Sequence, residues 1–387
     1  MVRVGVPRET APGETRVALI PETVAKLVPL GFEVLVETGA GAASGFEDAA
    51  YTSAGATLTD VRDLYARAEV IAKVREPMAM PASHEADLLR SGVVLVSFLN
   101  PGRNPELIDR LAAKGVTTFV MEFVPRITRA QKMDALSSMS TVAGYKAVLL
   151  AANTLPRFFP LLMTAAGTIA PARVFVLGAG VAGLQAIATA RRLGAVVEAF
   201  DVRPAARDDV KSLGAVFVGD ELVSAGAEDK GGYAREVAAD QQVKIRELTH
   251  KHVKTSDVVI TTANVPGKRA PVLVTAAMVR DTKKGSVIVD LAAESGGNCE
   301  LSQPGHAVVD GGVTILAPLD IVSQLPYHAS MMYSRNMFAV LTHLAPGKEA
   351  RLVFDMSDEI TRESCATHEG RVRKGGTAPV PASAGAA

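Results

Sequence analysis

The run Gly178-Ala179-Gly180-Val181-Ala182-Gly183 has the residue types and spacing of a turn that cradles phosphate. The first glycine permits a tight turn, and the second lets backbone approach a pyrophosphate. The third lets the following helix pack closely on the preceding strand, with the helix N-terminus supplying positive potential. Such spacing alone is weak, because glycine-rich turns are common. Here Val174-Phe175-Val176-Leu177 reads as a strand directly before it, and 181–193 reads as a helix directly after. Gly178, Gly180, Val181, Ala182 and Gly183 are therefore assigned to a dinucleotide. Asp201 closes the next strand, with Val202 and Arg203 behind it. A carboxylate there accepts hydrogen bonds from ribose hydroxyls and repels a 2′-phosphate, which favours NAD(H), while Arg203 weakens that exclusion slightly. The plainer reading of Asp201 is an exposed acid at a strand end. Thr262, Ala263 and Asn264 follow the fourth strand of this series, at the edge where such sheets bind ligands. The backbone around Asn264 is expected beside the nicotinamide ribose.

The elements that must position these residues alternate from end to end. Short apolar runs at 2–6, 34–37, 70–74, 93–97 and 116–120 are separated by helical spacing at 22–30, 83–90 and 105–113. A second series follows at 173–177, 196–200, 215–218, 258–262, 287–290 and 313–316. Continuous apolar strands alternating with helices imply an α/β protein with parallel sheets covered on both faces. The expected fold is two doubly wound, Rossmann-like domains joined by a long helix over 141–154, with the active cleft between them. The outer domain takes 1–138 plus 325–380, where 335–344 returns as a helix, and the nucleotide domain takes 139–324. Residues 306–316 read as a hairpin on Gly311-Gly312, a candidate antiparallel edge. Residues 374–387 lack a core-forming pattern and read as a flexible tail.

Composition narrows the classes. Basic and acidic residues balance at 41 each, so no long-range attraction to nucleic acid or anionic lipid is implied. Two cysteines far apart exclude a disulfide framework and a cysteine zinc cluster. His250 and His252 are two apart on a predicted helix and face different sides, so no metal site is expected. The apolar stretch 147–170 is broken by Pro156, Arg157 and Pro160, so it is not read as a membrane span.

Several blocks resemble those shared by alanine dehydrogenases and NAD(P) transhydrogenases. They are Gly5-Val6-Pro7-Arg8-Glu9, Glu14-Thr15-Arg16-Val17-Ala18-Leu19, Lys73-Val74-Arg75-Glu76-Pro77, Val265-Pro266-Gly267-Lys268 and Gly296-Gly297-Asn298. The dehydrogenases carry a lysine, a catalytic histidine and an aspartate where this chain resembles them with Arg75, Asn100 and Glu294. An amino-acid dehydrogenase must move a proton as well as a hydride; asparagine cannot shuttle a proton and arginine stays charged. Direct hydride transfer between two nicotinamides needs no protein base, so the replacements fit transhydrogenase.

The run 125–138 is similar to the signature loop of the NAD(H)-binding domain of proton-translocating transhydrogenases. Without that resemblance it reads as a solvated loop of mixed charge leading into the long helix. With it, Arg126, Arg129, Gln131, Lys132 and Asp134 are implied to bind the nucleotide. Arg126, Gln131, Asp134, Ser137 and the later Tyr233 are implied to be catalytic. Arg126 and Asp134 can pair to hold the loop, Gln131 can donate to the carboxamide or to the partner nucleotide, and Ser137 can fix the amide. The polar insert 219–233 resembles the family's mobile loop, with Gly232 and Tyr233 closing over bound nucleotide; otherwise it is a floppy insertion in which Tyr233 merely covers apolar surface. Arg16 resembles the arginine that holds a substrate carboxylate in the dehydrogenase branch.

The resemblance further implies a homodimer and partners that carry NADP(H) and span the membrane. It implies a cytoplasmic location at the inner face of a bacterial cell membrane. The alternatives are an amino-acid dehydrogenase with a rearranged site and a catalytically silent NAD(H)-binding subunit.

Overall fold

The computed structural model describes residues 1–81, 83–223, 239–264, 269–347 and 350–377. The chain divides into two compact units, Met1–Met139 with Ser323–Ala387, and Ser140–Val322.

The first unit is built on six strands: β1 (Val2–Val6), β2 (Phe32–Glu37), β3 (Thr57–Thr59), β4 (Val70–Ala72), β5 (Val94–Ser97) and β6 (Thr117–Val120). Their order is β3-β2-β1-β4-β5-β6 and every pairing is parallel. All residues of β4, β5 and β6 are buried. A strand hidden on both faces needs no polar alternation, and the polar residues of these runs, Ser97, Thr117 and Thr118, are themselves buried. Helices α1 (Pro21–Leu27) and α2 (Pro105–Ala113) both carry proline in the first turn, where its missing N–H costs nothing. Segment 83–90 departs from the expected helix. Ser83–His84 pairs antiparallel with Ala79–Met80, and only Glu85–Leu88 coils, as one 3-10 turn. The cause is Glu85, a buried carboxylate fastened to Lys73 and Tyr65, so an ion pair rather than an apolar stripe fixes this segment.

The second unit holds β7 (Arg173–Leu177), β8 (Val196–Phe200), β9 (Val216–Phe217), β10 (Val258–Thr261), β11 (Val287–Asp290), β12 (Ala307–Asp310) and β13 (Val313–Leu316). The order is β9-β8-β7-β10-β11-β13-β12, with β12 the antiparallel edge. Gly311 and Gly312, at φ of 58° and 87°, make the turn that the Gly-Gly pair implied. Alternate residues of β7 enter opposite cores. Val174 and Val176 join one cluster; Phe175 and Leu177 join the other. This is period two written into two buried faces.

Helix α3 (Ala135–Thr154) begins in the first unit and ends in the second. It starts six residues before the expected position 141, because Asp134 caps it while Ser137, Ser138 and Ser140 hide its first turn from an apolar pattern. Among the described residues it is the one helix long and apolar enough to cross a membrane. Its Ala147, Val148 and Ala151 are fully buried in the core of the second unit. Next come α4 (Val181–Arg192), α5 (Ala239–Thr255), α6 (Pro326–Leu344) and α7 (Glu359–Ser364). Helix α6 starts nine residues before the apolar pattern showed. Its Ser330 and Ser334 accept the backbone N–H of Val17 and Ile20, so small polar residues occupy positions that an apolar stripe would fill.

Gly144 lets α3 lie against α4: a Cβ there would strike the carbonyl of Ala182 and stand 2.9 Å from its carbon. Backbone cannot yield as a side-chain tip can. Gly144→Ala is expected to lower stability by about 1–3 kcal/mol, the usual cost of overpacking. The urea midpoint measures this, and an unchanged midpoint would contradict the packing.

Candidate functional site

Both main sheets reverse strand order next to their first strand, and in open α/β sheets a ligand seat lies at such a point. In the second unit it lies between β7 and β10. Gly178 takes φ of 96°, and a Cβ on it would stand 2.6 Å from Thr262 Oγ1. At Gly183 a Cβ would collide with the Gly178 carbonyl, so α4 sits directly on the turn. Gly180 differs. Its backbone is extended, and a methyl group there would have Arg203 Nη2 as its nearest neighbour, at 3.8 Å. Among the described residues nothing forbids a side chain at Gly180; the open space in front of it is what a ligand approaching the backbone requires. Gly180 also places no side chain over the N-terminus of α4.

Asp201, 7% exposed, ties this turn down. Its Oδ2 accepts from Ala179 N at 2.7 Å and from Arg203 Nη2 at 2.8 Å, while Oδ1 accepts from Arg203 N and Nε, both at 2.9 Å. Arg203, read from sequence as a minor counterweight, is thus locked in a two-pronged pair with the acid. Thr262 donates to the Gly178 carbonyl at 3.0 Å, joining the ends of β7 and β10. Behind Thr262 lies a buried pair whose importance spacing did not disclose, Asp290 and Asn298. Asn298 binds both the N–H and the C=O of Ala263. Gly232, Tyr233 and the block 265–268 lie outside the described residues. Of the insert 219–233, Asp220–Leu222 forms a 3-10 turn with Leu222 buried, and the remainder from 224 also lies outside the described residues.

In the first unit the corresponding point, between β1 and β4, is filled from within. Glu9 follows β1 and accepts the N–H of Val74 at 2.6 Å and of Arg75 at 3.2 Å. It also pairs with Lys73 Nζ at 3.3 Å, and Glu85 binds the same ammonium at 2.7 Å. Burial pushes the Glu9 carboxyl up, and Lys73 offsets this only in part with Glu85 nearby. Burial alone would depress the Lys73 ammonium, but its two carboxylates hold it above its ordinary value. The side chains of Glu9, Lys73 and Glu85 are all buried at this point of the sheet.

Arg16 is treated similarly. Its guanidinium is clasped by Glu14, with Nε–Oε1 at 2.7 Å and Nη2–Oε2 at 2.5 Å, and both side chains are buried. An internal carboxylate therefore takes the fork that a substrate carboxylate would need. Asn100 stands in left-handed backbone at φ of 47°, donates from Nδ2 to Glu76 at 3.2 Å, and gives its N–H to Glu122 at 2.7 Å. Neither its chemistry nor its engagement suits proton transfer.

The loop Thr128–Met133 coils as a 3-10 helix. Arg126, Arg129, Gln131 and Lys132 are exposed, and Asp134 and Ser137 are half-buried. Asp134 accepts from Ser137 N at 2.9 Å and Oγ at 2.6 Å, an N-cap on α3. Arg129 pairs with Asp358 at 2.6 Å. Asn336 donates to the Lys132 carbonyl, holding the loop from α6. Among the described residues no three metal-ligating side chains converge.

Glu122 has a testable consequence. Burial pushes its pKa up to about 7 despite backbone donation from Asn100 and Leu99. Folding therefore takes up a proton between the ordinary carboxylate range and about pH 7, and stability falls as pH rises through that window. Glu122→Gln keeps an oxygen for both N–H donors and removes the ionisation. Its stability relative to the parent should rise from pH 4.5 to 7.5 by an amount on the order of 3 kcal/mol. Parallel urea-midpoint profiles for the two proteins would refute this.

Comparison with known proteins agrees with the geometry. The family "Alanine dehydrogenase/PNT, N-terminal domain" matches residues 5–143, and "Alanine dehydrogenase/PNT, C-terminal domain" matches 147–375. The first part of NAD(P) transhydrogenase subunit alpha of Rhodospirillum rubrum is 46% identical over 375 residues, covering 96% of this chain and 97% of that one. Alanine dehydrogenase of Bacillus subtilis is 35% identical over 303 residues, covering 77% and 72%. The crystal structure of transhydrogenase from Sinorhizobium meliloti superposes with a TM-score of 0.86 at 45% identity, covering 96% of this chain and 100% of that one. A solved L-alanine dehydrogenase gives 0.78 at 29%, covering 96% of each. With both domains matched, the chain belongs to the alanine dehydrogenase/PNT family, and it is more similar to these transhydrogenase subunits than to these dehydrogenases.

Proposed function

We propose that this chain is the NAD(H)-binding component of a proton-translocating transhydrogenase. NADH bound here would supply a hydride to NADP+ held on a partner domain, and separate membrane subunits would couple that transfer to proton movement. The observation that carries the reading is the seat at Gly180. There the backbone is open, the start of α4 has no side-chain cap, and Gly178 and Gly183 leave no room for anything but glycine. The self-filled switch point of the first unit, the clasped Arg16 and the engaged Asn100 support transfer between nucleotides over amino-acid oxidation.

The chain's own residues then have distinct tasks. Gly180, Val181 and Ala182 present backbone to the pyrophosphate, Asp201 with Val202 and Arg203 meets the adenosine end, and Thr262, Ala263 and Asn264 back the nicotinamide end. Arg126, Arg129, Gln131, Lys132 and Asp134 are assigned to nucleotide binding by the family resemblance of their loop. Asp134 with Ser137 also caps α3, which makes Gln131 the cleaner probe of the chemistry. The protein would work in the cytoplasm against the inner face of a bacterial membrane through its partners.

A homodimer is supported by the hairpin Leu162–Thr164 with Gly167–Ile169. Two strands alone are marginally stable in water. Yet Met163 is 74% exposed, with Leu161 and Phe158 above 50%. Exposed apolar clusters of this kind mark interaction surfaces. Met163→Lys should shift the protein from dimer to monomer in sedimentation, and an unchanged dimer would remove the hairpin from the interface.

Two further tests address the activity. Mixed with an NADP(H)-binding partner domain, the protein should reduce NADP+ with NADH, and it should do so only then. Robust alanine-dependent reduction of NAD+ by the chain alone would sink the assignment. Gly180→Ala should leave the unfolding midpoint in place while weakening NADH binding by about tenfold or more, ~1.4 kcal/mol. Unaltered NADH affinity would mean that nothing approaches Gly180.

A further inference from the structure

Strand β11 ends on Asp290, a carboxylate with no exposed surface. It has no ion-pair partner among the described residues, and burying a charge in that state is costly unless hydrogen bonds replace its water. Five donors do so. Thr261 Oγ1 and Ala292 N reach Oδ1, each at 3.0 Å. Asn298 N at 2.8 Å, Cys299 N at 2.9 Å and Ser302 Oγ at 2.7 Å reach Oδ2.

The carboxylate thereby wraps the turn 296–299 around itself. Gly296 and Gly297 take φ of 101° and 82°, and a Cβ on Gly297 would lie 2.9 Å from Asp290 Oδ2. The product of this wrapping is the placement of Asn298, also wholly buried. Its Oδ1 accepts from Ala263 N at 3.0 Å. Its Nδ2 donates to the carbonyls of Ala263 at 2.9 Å and Pro271 at 2.8 Å. One side-chain amide so fixes both peptide planes that flank Ala263. The adjoining Thr262 is bonded to Gly178, and a Cβ on Gly178 would stand 3.4 Å from Ala263 N.

We infer that Asp290 and Asn298 are positioning residues: together they hold the 262–264 backbone at the height that sets the nicotinamide half of a nucleotide seated on the Gly178 turn. The inference rests on the NAD(H) reading. Neither residue needs to touch the nucleotide. Asn298 acts through Ala263, and Asp290 acts through Asn298. Hydride transfer depends steeply on distance and alignment, so a small loosening here weakens transfer more than binding, which is spread over the whole dinucleotide.

Asn298→Asp tests this with little change of volume, since it still accepts from Ala263 N but cannot donate to the two carbonyls. NADH affinity is read by nucleotide fluorescence, and transfer by single turnover to NADP+ on the partner domain at saturating NADH. Deuterium exchange reads the Ala263 amide directly, without any turnover. The expected result is transfer slowed by about tenfold or more, affinity within about threefold of the parent, and faster exchange at Ala263. Ser302→Ala removes one of five donors to Asp290 and serves as the variant that folds; it should show the same pattern more weakly. A merely structural pair would lower the unfolding midpoint with transfer per folded molecule unchanged, and that outcome overturns the inference. Equal losses of affinity and rate overturn it as well. Parent protein that binds no NADH would instead overturn the NAD(H) reading, a result visible before any variant is made.

Discussion

The contact between α4 and the turn before it leaves no room for a single methyl group. With a hydrogen at Gly183, helix and strand meet backbone to backbone; with any side chain there, α4 would have to move off the sheet. The surrounding site follows from that approach. It puts the uncapped first turn of α4 directly beyond β7, where its N–H groups and positive end are aimed at one region. It brings the Gly178 carbonyl within reach of Thr262, which ties in β10. Asp201 fastens Ala179 from the other side. The site is thus mostly main chain, placed by glycines where side chains would obstruct and by polar side chains where the main chain needs a partner.

The first unit shows what becomes of the same strand order without those glycines. After β1 comes Pro7-Arg8-Glu9, and Glu9 reaches across to cap the end of β4. Two carboxylates and one ammonium then share a dry interior. Buried ion pairs of this kind give little net stability, because desolvation consumes most of the attraction, but removing one partner is costly. Their effect here is to define a closed surface. Glu14 closes Arg16 in the same manner. The two units are alike in topology and differ in which charges are internally matched, so function is a property of the site and not of the fold.

Much of this was legible in the sequence. Strands β7, β8, β11 and β13 and helix α2 have the bounds that apolar runs and flanking breakers implied, because most of their apolar residues are buried and hydrophobic spacing reports burial. The parts that escaped are those in which polar residues carry the structure. Helix α3 begins on an Asp–Ser cap, α6 begins on a Pro-Tyr-His stretch with Ser330 and Ser334 inside it, and 83–90 is held by Glu85. None of these has a period to read. Asp290 and Asn298 are the extreme case. The Gly296-Gly297-Asn298 block marked the amide by resemblance but gave no role, and only the five donors around Asp290 and the peptide planes held by Asn298 show what the two residues do.

Asp201 illustrates how such pairing changes a chemical argument. From sequence, its carboxylate excludes a 2′-phosphate by charge. In the structure the guanidinium of Arg203 lies 2.8 Å from it, and each carboxylate oxygen already accepts two hydrogen bonds. Opposite charges that close present a dipole, not a monopole, and its field falls off within a few ångströms. Under the proposed NAD(H) reading, selectivity then comes less from repulsion than from occupation. Arg203 is the group that would welcome a 2′-phosphate, and Asp201 keeps it folded back and fully engaged. Accepting that phosphate would require breaking the two hydrogen bonds from the Arg203 guanidinium and leaving a nearly buried carboxylate short of donors, a larger penalty than an exposed acid at a strand end would impose.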